Sequence, residues 1–264
     1  MANTEFRFHG DLNDFLPATR RGRVFAHDLE RRAAIKDVIE SLGVPHTEVD
    51  VILVDGVSRG FDYRLVDGDR VEVYPWSMAA PVTAPRHLRP HPPSPPRFVL
   101  DVHLGRLARY LRLLGFDSHY RNDLADEALA ACADREQRVL LTRDRQLLKR
   151  KRIALAHFVR ADDPWQQLEE VCDVFRLTPA FVPFTRCTRC NGRLARVEKA
   201  AVAHRLEPLT RRYMATFLEC EACGQLFWHG SHVSRMEAMV ERLKRRGSVG
   251  SESPRSPDGP QGVV

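Results

Sequence analysis

The chain has 264 residues, 43% of them hydrophobic, which is enough to bury more than one core, so two or more domains are expected. A formal net charge of +6 and a pI near 9.2 favour a polyanionic partner without requiring one. No uncharged apolar run approaches the roughly 18 residues of a membrane helix, and Met1 to Gly10 lacks the apolar core of a secretory signal, so membrane and exported classes are set aside and a soluble, cytoplasmic protein is expected.

From residue 4, the alternating EFRFH and the run RVFAHDL predict two strands. Ile35, Val38, Ile39 and Leu42 recur at helical spacing, and Gly43 closes that helix. DVILVDG and RVEVYP predict further strands, with Asp55-Gly56 and Asp67-Gly68 as turn dipeptides. The pattern over residues 4–76 is a small α+β sheet with one helix across it. LNDFLP (12–17), IESLGVPHTEVD (39–50), ILVDG (52–56) and DGDRVEVYP (67–75) resemble the ubiquitin-like β-grasp domain that precedes certain ribonuclease domains. That domain is itself similar to small sulfur-carrier proteins, which end in a free Gly-Gly carboxylate. Here Tyr74-Pro75 runs on into Trp76, so a carrier role is rejected, and a protein partner stays open as the β-grasp domain's role.

Residues 77–96, SMAAPVTAPRHLRPHPPSPP, are Pro-rich without hydrophobic period and predict an extended, semi-rigid linker outside any core. Beyond it, apolar strands alternate with helical patterns over residues 97–178. RFVLD leads into a helix with Leu104, Leu107, Ala108, Leu111 and Leu114 on one face and Arg106, Arg109 and Arg112 toward another. FDSHY is a strand, DEALAACADREQ a helix, RVLLT a strand and DRQLLKR a helix, and IALAHFV with DPWQQLEEVCDVF repeats the unit. Such alternation predicts a parallel sheet covered on both faces, with ligands at the carboxyl ends of its strands. The segment 247–264 has almost nothing to bury and is expected to be disordered.

Asp101 ends the first strand of this sheet and Asp144 follows VLLT, so two carboxylates from distant parts of the chain fall on one carboxyl edge. Asp126 opens a helix on that edge and Asp162 follows IALAHFV, which makes four candidate catalytic acids. Carboxylates are the ligands that hard Mg2+ or Mn2+ prefers, and a divalent ion offsets their mutual repulsion. Asp126 is equally placed to cap its helix, and Asp163, before Pro164, reads as a helix cap. Arg106, Arg109, Arg143 and Arg145 surround these acids and are candidates for holding an RNA backbone or are solvated helix-face arginines. Thr142 is placed to orient Asp144 by a hydrogen bond.

DVHLGRLARYLRLLGFD, LLTRD and the cysteine region resemble the Mut-seven C-terminal RNase domain family, whose fold is similar to the PIN nucleases. The resemblance covers nearly all of residues 97–243. It implies a PIN-like α/β sheet and an Mg2+- or Mn2+-dependent ribonuclease with metal ligands at Asp101, Asp126 and Asp144. Many PIN nucleases carry a further acid shortly after the third, where this chain has Arg145 and Gln146.

CTRC (187–190) and CEAC (220–223) form two C-x2-C pairs. Cys187, Cys190, Cys220 and Cys223 thus supply the four soft ligands of a structural Zn2+, in a zinc ribbon placed at residues 179–246. Gly192 and Gly224 follow the pairs, where a knuckle turn often needs positive φ. Cys132 and Cys172 lie in apolar helical patterns and read as core residues. Between Arg186 and Arg246 there are 13 Lys and Arg against 6 Glu and no Asp, so this segment carries the chain's positive excess. Its Tyr213, Phe217, Phe227 and Trp228 are base-stacking candidates or a miniature core. The expectation is a metal-dependent ribonuclease with a basic zinc ribbon that helps hold RNA. The alternative is a non-catalytic RNA-binding or adaptor protein that works through the ribbon and the β-grasp domain.

Overall fold

The structure, a computed structural model, describes residues 2–29, 33–228 and 231–249. The described residues form two compact units, one within 2–111 and 116–168 and the other within 112–115 and 169–249.

In the first unit, β1 (Ala2–Phe8), β2 (Phe25–Leu29), β3 (Val49–Val54), β4 (Val57–Arg59) and β5 (Arg70–Pro75) form one mixed sheet. Its order is β2-β1-β5-β3-β4, with β1 parallel to β5 and every other pair antiparallel. The helix α1 (Ile35–Ser41) buries Ile35, Val38 and Ile39, the residues of its apolar period, in a core with Phe6, Phe8 and Ile52. This is the β-grasp arrangement. Strand β4 has no signal of its own in the sequence, being three residues paired back on β3 through the Asp55-Gly56 turn, where both residues have positive φ.

All six positions of β3 are buried, so both faces of that strand are covered. One face meets the α1 core, and on the other Val51, Leu53 and Tyr74 pack with Ala80 and Val82. The segment 77–96 therefore differs from its expectation as a spacer outside any core. It has no helix or strand, yet Leu88 donates its N–H to the Asp50 carbonyl at 2.7 Å and packs on the β-grasp core. Arg89 is buried and donates to the Ala156 carbonyl. Proline content fixed the backbone's extended character, but the uncovered face of β3 gave it something to bury against.

A second sheet in this unit contains β6 (Phe98–Leu100), β7 (Ser118–Tyr120), β8 (Val139–Thr142) and β9 (Ala156–Phe158). All pairs are parallel and the order is β7-β6-β8-β9. The helices α2 (Gly105–Leu113), α3 (Asp126–Arg135) and α4 (Pro164–Val174) follow β6, β7 and β9. Val99, Leu140 and Ala156 pack with Leu129, Ala130 and Ala133 of α3, and the alternate positions Phe98, Leu100 and Leu141 are buried as well. Continuous apolar strands are what a parallel sheet covered on both faces requires. The chain leaves β6 toward β7 on one side and returns to β8 on the other. The switch point, where ligands of such sheets bind, therefore lies at the carboxyl ends of β6 and β8.

Two expectations change here. DRQLLKR forms only a 3-10 turn at Leu147–Lys149, because Leu147 and Leu148 must both be buried before the chain returns at once to β9. Arg112 is buried rather than facing outward with Arg106 and Arg109, and its guanidinium donates to the carbonyls of Thr188 and Arg189 at 3.2 and 3.0 Å.

In the second unit, β10 (Leu194–Val197), β11 (Phe217–Cys220) and β12 (Leu226–Trp228) form an antiparallel sheet in that order. Short helices α5 (Lys199–Val202) and α6 (Pro208–Tyr213) fill the β10–β11 connection, and Val202, Leu206, Phe217 and Leu226 make a small core. The long helix α7 (Ser231–Val249) was not expected from the sequence. The proposed disordered tail begins within its last turn, and its remainder, 250–264, lies outside the described residues. Among the described residues no helix is long and apolar enough to cross a membrane.

Candidate functional site

Asp101 leaves β6 at the register where Leu100 faces Leu141, and its N–H bonds the Leu141 carbonyl at 3.2 Å. The side chain is 5% exposed. Oδ1 accepts the His103 N–H at 2.9 Å, while Oδ2 accepts the Thr142 hydroxyl and the Arg143 N–H, the latter at 3.0 Å. A carboxylate offers about four lone-pair sites, so one site on Oδ1 is left for a ligand.

Asp144 follows β8 and is half-buried. Its N–H donates to the Thr142 hydroxyl oxygen at 2.9 Å and its Oδ1 accepts the Gln146 N–H at 2.7 Å. Among the described residues nothing donates to its Oδ2. Thr142 thus links the Asp101 carboxylate to the Asp144 backbone at one strand end, and its bond to the Asp101 side chain was not anticipated. Mg2+ characteristically uses one or two carboxylates and keeps several waters, so either open oxygen could serve as a ligand to such an ion.

The other candidate acids are placed differently. Asp126, exposed at the start of α3, pairs with Arg150 at 3.5 Å, and Ala125 rather than Asp126 occupies the cap position. Asp162 is exposed and pairs with Arg143. Asp163 caps α4, with Oδ1 accepting from Trp165 and Gln166. Among the described residues no three carboxylates come within 4.8 Å of one another through their oxygens.

The four arginines also divide. Arg143 is held by the carbonyls of Arg160 and Ala161 as well as by Asp162. Arg145, where a further acid was expected from the resemblance, donates to the Asp14 carbonyl at 3.1 Å and lies over the rings of Phe15 and Phe158. Arg106 and Arg109 are exposed and line a cleft of about 380 Å³ with His103, Tyr120, Asp162 and Gln167. His103 and Tyr120 were missed, although each follows or ends a strand at the carboxyl edge. Gly105 lets the Tyr120 ring close on this cleft, since a Cβ there would lie 2.7 Å from the Tyr120 hydroxyl and push it aside.

The cysteines form a second centre. The Sγ atoms of Cys187, Cys190, Cys220 and Cys223 all lie within 4.8 Å of one another, with Cys187–Cys223 at 3.8 Å and Cys190–Cys220 at 3.4 Å. Four sulfurs 2.3 Å from one tetrahedral centre would be about 3.8 Å apart, so the quartet could hold zinc. Burial alone would push the Cys220 thiol up, but the backbone amides of Cys223 and Ala222 and the neighbouring thiols bring it down to about 7. In the first knuckle Asn191, not Gly192, takes positive φ, at 74°. Gly192 is needed for space, since a Cβ there would lie 2.8 Å from both Cys220 Sγ and Ala222 Cβ. Gly224 does adopt positive φ, at 67°. Phe217 belongs to the core, whereas Tyr213 and Trp228 are exposed and Phe227 and Trp228 line an apolar groove of about 550 Å³. Cys132 and Cys172 are buried, and burial raises the Cys172 thiol far out of the reactive range.

The parallel sheet with its acidic switch point, the four-cysteine ribbon and the preceding β-grasp sheet define a PIN-like α/β protein with a four-cysteine ribbon module. A family model described as "Mut7-C RNAse domain" matches residues 96–240, and one described as "Mut7-C ubiquitin" matches residues 1–80. The first match spans more than half of the chain, which belongs to the Mut7-C RNase domain family. No curated protein and no solved structure matches the chain.

Proposed function

We propose that this chain is an Mg2+- or Mn2+-dependent ribonuclease that hydrolyses RNA phosphodiesters at the edge formed by Asp101 and Asp144, with a structural zinc in the cysteine ribbon. The observation that carries the reading is the pair of carboxylates at the switch point, each with an oxygen open to a ligand, with Thr142 bonded to the Asp101 carboxylate and to the Asp144 backbone N–H. When bound, a divalent ion supplies charge neutralisation at the phosphate and acidifies water. Asp101, fixed by three donors, presents Oδ1 to the site, and Asp144 Oδ2 can accept the proton that the attacking water loses. That water's oxygen bonds to phosphorus, the bond to the leaving sugar oxygen breaks, and the leaving oxygen takes a proton from solvent.

Arg106 and Arg109 bring positive charge to the cleft beside this edge and suit an RNA backbone. Asp126 and Asp162 would join the ligand set only on release from Arg150 and Arg143. The cysteine quartet has no open position, so zinc there would stabilise the ribbon and leave the chemistry to the sheet. The test is cleavage of an end-labelled, unstructured RNA by the full-length protein with Mn2+. Cleavage stopped by a chelator and by Asp144→Asn, with RNA binding preserved in the variant, supports the reading. Undiminished cleavage by Asp144→Asn refutes the site, and binding without cleavage by the unmodified protein supports the adaptor alternative.

A further inference from the structure

The β-grasp sheet and the parallel sheet belong to one compact unit, and several contacts between them fall on the end of β9 and on residues 145–149, just after Asp144. The 3-10 turn Gly10–Phe15 brings Asp11, Asp14 and Phe15 of the β-grasp domain against the end of β9. Arg160 is the hub. Its Nε meets Asp14 Oδ2 at 3.0 Å, and one terminal nitrogen reaches Asp11 Oδ2 at 3.3 Å and Glu48 Oε2 at 3.4 Å. Glu48, 3% exposed, also accepts the Phe158 N–H at 2.7 Å and so fixes the last residue of β9. Phe15 stacks edge-on against Phe158 at 5.3 Å, and the guanidinium groups of Arg145 and Arg160 lie over both rings.

From this hub two short paths lead to the acidic edge. Arg145, the residue after Asp144, donates to the Asp14 carbonyl. The Arg160 carbonyl accepts from Arg143 at 3.3 Å, and the Arg143 N–H donates to Asp101 Oδ2 at 3.0 Å. Farther along the same segment, Thr47 donates to the Leu148 carbonyl at 3.4 Å and Lys149 donates to the Glu40 carbonyl at 3.0 Å. The loop is thus held by the β-grasp domain on both sides, through Arg145 near Asp144 and through Leu148 and Lys149 beyond it.

We infer that the β-grasp domain is a brace acting within its own chain: Asp11, Asp14 and Glu48 are positioning residues that set the loop from Thr142 to Gln146 through Arg160 and Arg143, while the Asp14 backbone carbonyl holds Arg145. The inference rests on the ribonuclease reading for its functional meaning, and on contacts alone for its structural one. It also assigns Arg145 a task other than metal ligation or RNA contact. Two of the three acids are partly exposed, with 29% of the Asp11 side chain and 51% of the Asp14 side chain accessible, so removing them leaves no large cavity.

The experiment is the full-length Asp11→Ala/Asp14→Ala variant, examined by amide hydrogen exchange, Mn2+ binding and RNA cleavage. The Arg143 and Gln146 amides, donors to Asp101 and Asp144, should exchange faster, while amides of β1 and β5 keep their protection. The Mn2+ dissociation constant should rise and kcat fall by roughly 2- to 30-fold, the range by which distant residues modulate a coupled site. KM for RNA should stay constant, because Arg106 and Arg109 are untouched. Unchanged protection over 143–146 with unchanged Mn2+ affinity would overturn the inference. Asp14→Asn alone carries the same readouts should the double variant fail to fold. An inert unmodified protein would count against the ribonuclease reading only, since amide exchange decides the brace without activity.

Discussion

Thr142 donates its hydroxyl hydrogen to Asp101 although the two are 41 positions apart, and the same oxygen accepts the Asp144 N–H. One fully buried hydroxyl therefore contacts the Asp101 carboxylate and the backbone of Asp144. Thr142→Val keeps the shape and deletes both bonds, leaving a buried acceptor and an amide short of partners. Stability measured by urea denaturation should fall by about 1–3 kcal/mol. Mn2+-dependent cleavage should fall with it, and Thr142→Ser should restore both.

Asp101→Asn tests the neighbouring side of the same arrangement. Three donors converge on the carboxylate, and an amide offers one acceptor oxygen in place of two, with its NH2 turned toward a donor. The variant should lose cleavage by roughly two to three orders of magnitude, the scale of removing one preorganised electrostatic group. Its denaturation midpoint should fall as well, whereas Asp126→Asn, at an exposed ion pair, should leave the midpoint nearly unchanged.

RNA affinity should depend on Arg106 and Arg109 through charge. Replacing both with Ala should weaken binding uniformly across sequences and lower the slope of log affinity against log salt by roughly 1.4, or about 0.7 per lost single-strand phosphate contact. Filter binding at several salt concentrations reads this directly. An unchanged slope would place the RNA elsewhere, with the basic ribbon as the next surface to probe.

Loss of zinc should unfold the ribbon, because its core is small and metal binding contributes on the order of 10 kcal/mol in such modules. A strong chelator should make residues 186–228 sensitive to protease. Gly192→Ala should do the same at saturating zinc by forcing a methyl group against Cys220 Sγ and Ala222. Metal content by atomic emission distinguishes this from general misfolding.

Glu136 provides a pH-dependent stability prediction remote from the site. Hydrogen bonds from Arg138 first and Arg135 second lower its carboxyl from the ordinary 4.5 to about 2. The contribution is therefore fully present above about 4.5 and is lost as pH falls toward 2. With 32% of the side chain accessible, screening limits the gain to on the order of 1 kcal/mol. Glu136→Gln should be less stable than the parent protein at pH 7, with the difference closing over that acidic window.

What the amino-acid sequence by itself determined was local. The apolar runs of β6 and β8, the helical period of α1 and α3 and the Asp163-Pro164 cap follow from side-chain periodicity and backbone chemistry acting over a few residues. The two C-x2-C pairs are legible for the same reason, since each is a single turn. Partnership between distant groups was decided only in three dimensions. Nothing in spacing says that Arg145 reaches back to Asp14, that Asp126 meets Arg150, or that Ala80 and Val82 cover β3. With 41 Lys and Arg facing 35 Asp and Glu, many pairings are compatible with one charge pattern, and burial and sheet order select among them. The β8-to-β9 loop shows the division well: its carboxylate could be placed at a strand end from the sequence, but its restraint by another domain is a property of the packed chain.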